Sequence, residues 1–126
     1  MAKEADLEKL AAGSTCSVYL ARGAPSHKQW ESLSDREKAG LQSRFTLISM
    51  RELLAKDKLR PIRGSDGILE IKRKKPPLRC LAFKNDGDWF ITHIIIKPKK
   101  NRVLAEARKA EMARERHFAL EKKKEQ

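Results

Sequence analysis

The chain lacks the features of a membrane protein, a disulfide scaffold or a metalloenzyme. No apolar run in its 126 residues approaches membrane-spanning length. The opening Met1-Ala-Lys-Glu-Ala-Asp6 has no apolar core of a secretory signal. Only two cysteines occur, Cys16 and Cys80, too few and too far apart for a disulfide framework or a zinc site, so a reduced, cytoplasmic setting is expected. Glycine is sparse, and Gly64-Ser-Asp-Gly67 is too short to cradle a phosphate. Paired carboxylates at catalytic spacing, a nucleophile elbow and clustered His, Cys, Asp or Glu ligands are all missing. No cofactor and no metal are therefore expected, and any chemistry would run on basic side chains.

Positive charge is what the chain has in excess. Lys and Arg number 29 against 17 Asp and Glu, a net charge of +12, which calls for an anionic partner. Between Arg60 and Asn101 lie eleven lysines and arginines against four acids. The same stretch reads as three strands: Gly67-Ile-Leu-Glu-Ile-Lys72, Leu78-Arg-Cys-Leu-Ala-Phe83 and Trp89-Phe-Ile-Thr-His-Ile-Ile-Ile96. Lys74-Lys-Pro-Pro77 and Asn85-Asp-Gly-Asp88 separate them. Proline donates no ladder hydrogen bond and Asp-Gly accepts positive φ, so both connections are turns and the three strands an antiparallel meander.

The length suits one domain over residues 1–126. Residues 1–14 read as an N-terminal extension, with a short helix over 2–12 that aligns Leu7, Leu10 and Ala11. Ser17-Val-Tyr-Leu-Ala21 is the first strand, closed by Gly23-Ala-Pro25. Ser26 can cap a short helix through Trp30 and Leu33. Ser34-Asp-Arg-Glu37 is a capping box that starts a longer helix, with Leu41, Phe45 and Ile48 as its buried stripe. Leu47, Met50 and Leu54 fall on another side, and Ser49-Met-Arg-Glu52 suggests a bend. Arg102 to Gln126 is helical, with Leu104, Ala107 and Ala110 as a weak apolar stripe and a frayed end over 121–126. The expected class is α+β: a small twisted, mainly antiparallel sheet, with a helical hairpin and a C-terminal helix packed on one face.

Alternation sets Arg79 with Leu81 and Phe83, opposite Leu78, Cys80 and Ala82. Both sides are apolar, so a guanidinium there either grips a phosphate or pairs with an acid such as Glu70. Lys72 and Lys74 share a side with Ile68 and Glu70, as a groove for a nucleic-acid backbone or as solvated charge. Lys97, Lys99 and Lys100 follow the last strand with the same two alternatives. His93 alternates with Ile91 and Ile95, an acid–base group or a hydrogen-bonded core residue. Cys80 suits a small core position. Phe83, Trp89 and Phe90 can stack bases but more commonly pack.

Three segments carry a resemblance. Ile62-Arg-Gly-Ser-Asp-Gly-Ile-Leu-Glu-Ile-Lys72, Leu78-Arg-Cys-Leu-Ala-Phe83 and Thr92-His-Ile-Ile-Ile-Lys-Pro-Lys-Lys100 resemble the RelE/ParE superfamily of bacterial toxins, in its HigB-like, phage-type branch. The helix from Arg102, with Ala107 and Arg108, is similar to the family's Glu-x-x-x-Ala-x-x-Arg. Lys72 stands where the family usually has arginine, and Pro98 interrupts its lysine pair. The resemblance implies the toxin of a type II toxin–antitoxin system, a metal-independent endoribonuclease that cuts mRNA at the ribosome. It also implies a cognate antitoxin, of helix-turn-helix type, that holds the toxin inactive. Arg79, Lys72, Lys97 and His93 would be catalytic, and Lys74, Lys99, Lys100 and Arg73 would bind RNA. Two other functions stay open: a ParE-like inhibitor of DNA gyrase, and a non-catalytic basic RNA-binding module.

Overall fold

A computed structural model describes residues 6–50, 59–74, 77–96 and 102–124. In chain order these form β1 (Glu8–Ala12), β2 (Ser17–Leu20), α1 (Ser26–Glu31), α2 (Asp35–Ser49), β3 (Leu59–Pro61), β4 (Leu69–Arg73), β5 (Leu78–Asn85), β6 (Asp88–Ile96) and α3 (Val103–Lys124). The class is α+β, with one six-stranded sheet in the order β1-β2-β6-β5-β4-β3. Every neighbouring pair is antiparallel except β2 and β6. The last strand of the meander, β6, thus lies between β2 and β5, and its apolar run is explained by neighbours on both edges. Asp86 (φ 52°) and Gly87 (φ 86°) make the two-residue turn between β5 and β6, where two positive φ values favour Asp-Gly.

Two strands were not expected. The helix proposed over 2–12 is instead β1 in its described part, an edge strand paired with β2. Its leucines fit a helix locally, but β2 presents an open edge, and Gln42 Nε2 donates to the Leu10 carbonyl from α2. Long-range pairing outweighs a weak local preference here. The other addition, β3, pairs with β4 through Arg60↔Glu70.

The sheet is covered on both faces, not one. Leu41, Phe45 and Ile48 of α2 pack on Val18, Leu20, Ile71, Cys80 and Ile91. On the opposite face, Ala107, Ala110 and Ala113 of α3 pack on Ile62, Ile68, Leu81, Phe83 and Phe90. Leu104 is exposed rather than part of that stripe, and His117 is buried in its place. Alanines let α3 lie close to the sheet, and the alternation of β5 supplies an apolar surface to each side. The capping box at Ser34 forms in full: Ser34 Oγ accepts the Glu37 N–H, and Glu37 Oε1 accepts the Ser34 N–H. Ser26 caps nothing; Pro25 holds the cap position of α1, and Ser26 Oγ donates to the Ile91 carbonyl at 2.7 Å. α2 ends at Ser49, and the proposed bend toward Glu52 and Leu54 lies outside the described residues. α3 continues through the expected frayed end as far as Lys124.

Candidate functional site

Alternation in β4 sends Leu69 and Ile71 toward α2 and Ile68, Glu70 and Lys72 toward α3. In β5 it sends Arg79 and Leu81 to the α3 side. The register Lys72↔Arg79 and Glu70↔Leu81 makes Glu70 and Arg79 diagonal neighbours. Glu70 is completely buried, and among the described residues three cations contact it. Arg79 Nε lies 2.8 Å from Oε2, close enough for an ion pair but without an Nε–H directed along the line. From β3, Arg60 Nε donates to Oε1 at 3.2 Å, and Lys72 Nζ stands 3.9 Å from the same oxygen. One negative charge thus faces three positive ones, and the excess attracts a further anion. The side chain of Arg79 is only 7% exposed, Lys72 is part-buried and Arg60 is open to solvent. Beside them lies a cleft of about 560 Å³, lined by Arg60, Ile62, Arg63, Glu70, Val103 and Leu104.

A β-bulge decides where His93 points. Leu81 pairs with His93 but the next residue, Ala82, pairs with Ile91, which leaves Thr92 as the extra residue in β6. The side-chain alternation inverts there. Ile91 faces α2, whereas His93, opposite Leu81, faces α3 as a diagonal neighbour of Arg79. His93 therefore does not share a face with Ile91. Thr92 Oγ1 lies 3.2 Å from the Leu81 carbonyl and 3.0 Å from His93 Nδ1; with its proton on the carbonyl, the contact fits the tautomer in which Nδ1 donates. In that tautomer Nε2 carries the lone pair. Burial lowers the His93 pKa, with Glu106 opposing and Lys109 adding to that effect, so the ring is neutral at neutral pH.

Not every expected groove residue joins this cluster. Arg73 turns to the α2 face, opposite Leu78, and donates to the Gly40 carbonyl at 3.3 Å. A Cβ at position 40 would collide with its guanidinium, so glycine there permits a helix–sheet clamp. Lys74 is exposed in the turn after β4. Lys97, Lys99 and Lys100 lie outside the described residues. Phe83 and Phe90 stack on each other with centroids 5.2 Å apart, and Phe90 stacks on Tyr19 at 5.3 Å. Trp89 is buried, with Lys84 Nζ 5.4 Å from its ring centroid, so these aromatics are core rather than base platforms. Burial pushes the Cys80 thiol well above its ordinary value, which keeps it an inert core residue. Arg60 was visible only as one charge among many, because nothing in Lys58-Leu-Arg-Pro61 announces a strand opposite Glu70.

A second histidine matters to stability. His117 Nδ1 accepts the Arg22 backbone N–H at 2.9 Å, and burial lowers its pKa as it does for His93, Glu121 opposing and Arg22 reinforcing the shift. Groups depressed from 6.5 on folding bind more protons in the unfolded chain. Their stabilisation is complete above the unfolded value and is lost as pH falls through 6.5 toward the folded values. Urea midpoints should therefore be lower at about pH 5.5 than at about pH 7.5. His117→Asn, whose Oδ1 can accept the same N–H, should remove part of the difference. Equal midpoints at the two pH values would contradict this account.

Among the described residues, no three His, Cys, Asp or Glu side chains are grouped so as to hold a metal ion, and no helix is long and apolar enough to cross a membrane. No protein-family model, no curated protein and no solved structure matches the chain.

Proposed function

We propose that the chain is the toxin of a type II toxin–antitoxin pair, an endoribonuclease acting in the cytoplasm on mRNA at the ribosome and held inactive by a cognate antitoxin. What carries this reading is the buried Glu70 carboxylate contacted by Arg60, Lys72 and Arg79, with His93 on the same face. The motif resemblance of residues 62–108 points the same way. RNA brings its own nucleophile, the 2′-hydroxyl. The protein has to accept that proton, neutralise the charge that builds on the phosphate, and return a proton to the departing 5′-oxygen. His93 Nε2 supplies a neutral base, while Arg79 and Lys72 supply fixed positive charge. His93 Nε2 takes the 2′-proton, the 2′-oxygen bonds to phosphorus as the bond to the 5′-oxygen breaks, and the leaving 5′-oxygen takes a proton from water, leaving a 2′,3′-cyclic phosphate and a 5′-hydroxyl.

End mapping of mRNA after induction of the chain tests this. Cyclic or 3′-phosphate ends, with growth arrest that a neighbouring helix-turn-helix reading frame relieves, are the expected outcome. Fragments ending in 3′-hydroxyls would indicate a metal-activated water and overturn the mechanism. The low exposure of Arg79 and its engagement with Glu70 favour a second reading, a non-catalytic RNA-binding module. That reading predicts intact RNA, with binding that weakens steeply with salt as counterions are released.

A further inference from the structure

Besides Glu70, whose carboxylate is already paired with Arg60, the cleft has two kinds of wall. Arg60 and Arg63 bring guanidinium groups, whereas Ile62, Val103 and Leu104 are apolar. Leu104 is a large side chain left 46% exposed at the start of α3. The first turn of this 22-residue helix also opens there, the positive end of its dipole offset in part by Glu106 in the same turn. The site therefore suits an anion that also carries an apolar body, in a volume of about 560 Å³. Bare phosphate would leave the apolar wall wet, and an aliphatic chain would have no use for two arginines.

The loop that carries Arg63 is held rather than loose. Arg108 Nη2 donates to the Gly64 carbonyl at 3.1 Å, Glu111 Oε2 accepts the Asp66 N–H at 2.8 Å, and Arg114 Nη2 reaches Asp66 Oδ2 at 2.9 Å. On its other side, Ile62 N donates to the Ile68 carbonyl at 2.9 Å. The cleft is thus preorganised, which spares the ordering cost that binding would otherwise carry. It is also continuous with the cation cluster. Arg60 and Arg79 contact the two different oxygens of the Glu70 carboxylate. A ligand with closely repeated negative charges can engage both guanidiniums at once.

We propose that this cleft is a subsite for one nucleotide of an RNA strand, its phosphate on Arg60 and Arg63 and its base against Ile62, Val103 and Leu104, next to the phosphate held at Arg79. The proposal rests on the RNA reading given above and adds to it a second, base-contacting position. Arg63 and Leu104 are the residues to test, since both are exposed and neither contacts Glu70 in the core.

The experiment measures binding of a labelled oligoribonucleotide of about ten residues across a salt series, beside an abasic ribose-phosphate oligomer of the same length. Arg63→Ala should weaken both ligands and reduce the salt slope by about one. Leu104→Ala should weaken the oligoribonucleotide about three- to tenfold and leave the abasic oligomer unchanged, because only a base covers that wall. Circular dichroism and urea midpoints confirm that both variants fold. If the wild type cleaves RNA while both variants match it in affinity and salt slope, the subsite is wrong and the nuclease reading survives. If the wild type binds the oligoribonucleotide with the expected variant effects but never cleaves, the subsite stands and the nuclease reading falls. A wild type that binds neither oligomer overturns the subsite.

Discussion

Arg79→Ala is expected to slow RNA cleavage by about 10²–10³-fold, the usual loss when one preorganised donor to a developing charge is removed. The position makes the effect large. Arg79 lies on the central strand with its side chain 7% exposed, so its charge is little screened by water. The same substitution disturbs the fold, because Arg79 is one of three cations around the buried Glu70. Arg60 and Lys72 remain to balance that carboxylate, so the variant should be destabilised yet folded at low temperature. Arg79→Lys separates the two roles. It keeps a charge near Glu70 but loses the planar fork that fits a phosphate, so stability should largely return while cleavage stays slow. Rates under single-turnover conditions, read beside urea midpoints for both variants, check this. A folded Arg79→Ala protein that cleaves at the wild-type rate removes the assignment.

Glu70→Ala should be the most destabilising single substitution on this face, at about 3–5 kcal/mol, the usual cost of deleting one partner of a buried ion pair. The carboxylate has no exposed surface, and its removal leaves Arg79 buried without the one carboxylate that it contacts among the described residues. Truncation would also open space between Ile68 and Leu81, two fully buried neighbours on the α3 side. The informative comparison is the double variant Glu70→Leu with Arg79→Leu. It removes both charges together and fills the space with apolar groups, so it should recover most of the loss. Chemical denaturation of the two proteins measures the difference. A Glu70→Ala midpoint within about 0.5 kcal/mol of wild type would show that the ion cluster contributes little.

These expectations draw on different sources. Strand alternation over Ile68 to Lys72 and the Asp86-Gly87 turn were both legible in the chain, because each is fixed by rules acting over a few residues. The capping box at Ser34 and the Leu41, Phe45, Ile48 stripe belong with them. Net charge was legible too, and with it the expectation of an anionic partner. What remained open locally was whether Arg79 grips a phosphate or pairs with an acid. The fold supplies Glu70 at 2.8 Å and leaves the phosphate role to experiment.

Tertiary structure alone decided the rest, and in each instance a partner distant in sequence made the decision. Leu7, Leu10 and Ala11 suit a helix in isolation, but the open edge of β2 draws residues 8–12 into the sheet. A one-residue bulge at Thr92 moves His93 from the face of Ile91 to that of Arg79, and no periodicity count over β6 reveals an inserted residue. Gly40 captures Arg73 on the far side of the sheet, so two adjacent basic residues, 72 and 73, serve opposite faces. Arg60 joins Glu70 only because β3 pairs with β4. Local rules act through the covalent neighbours of a residue, whereas pairing, bulges and ion clusters depend on contacts that exist only once the chain has closed.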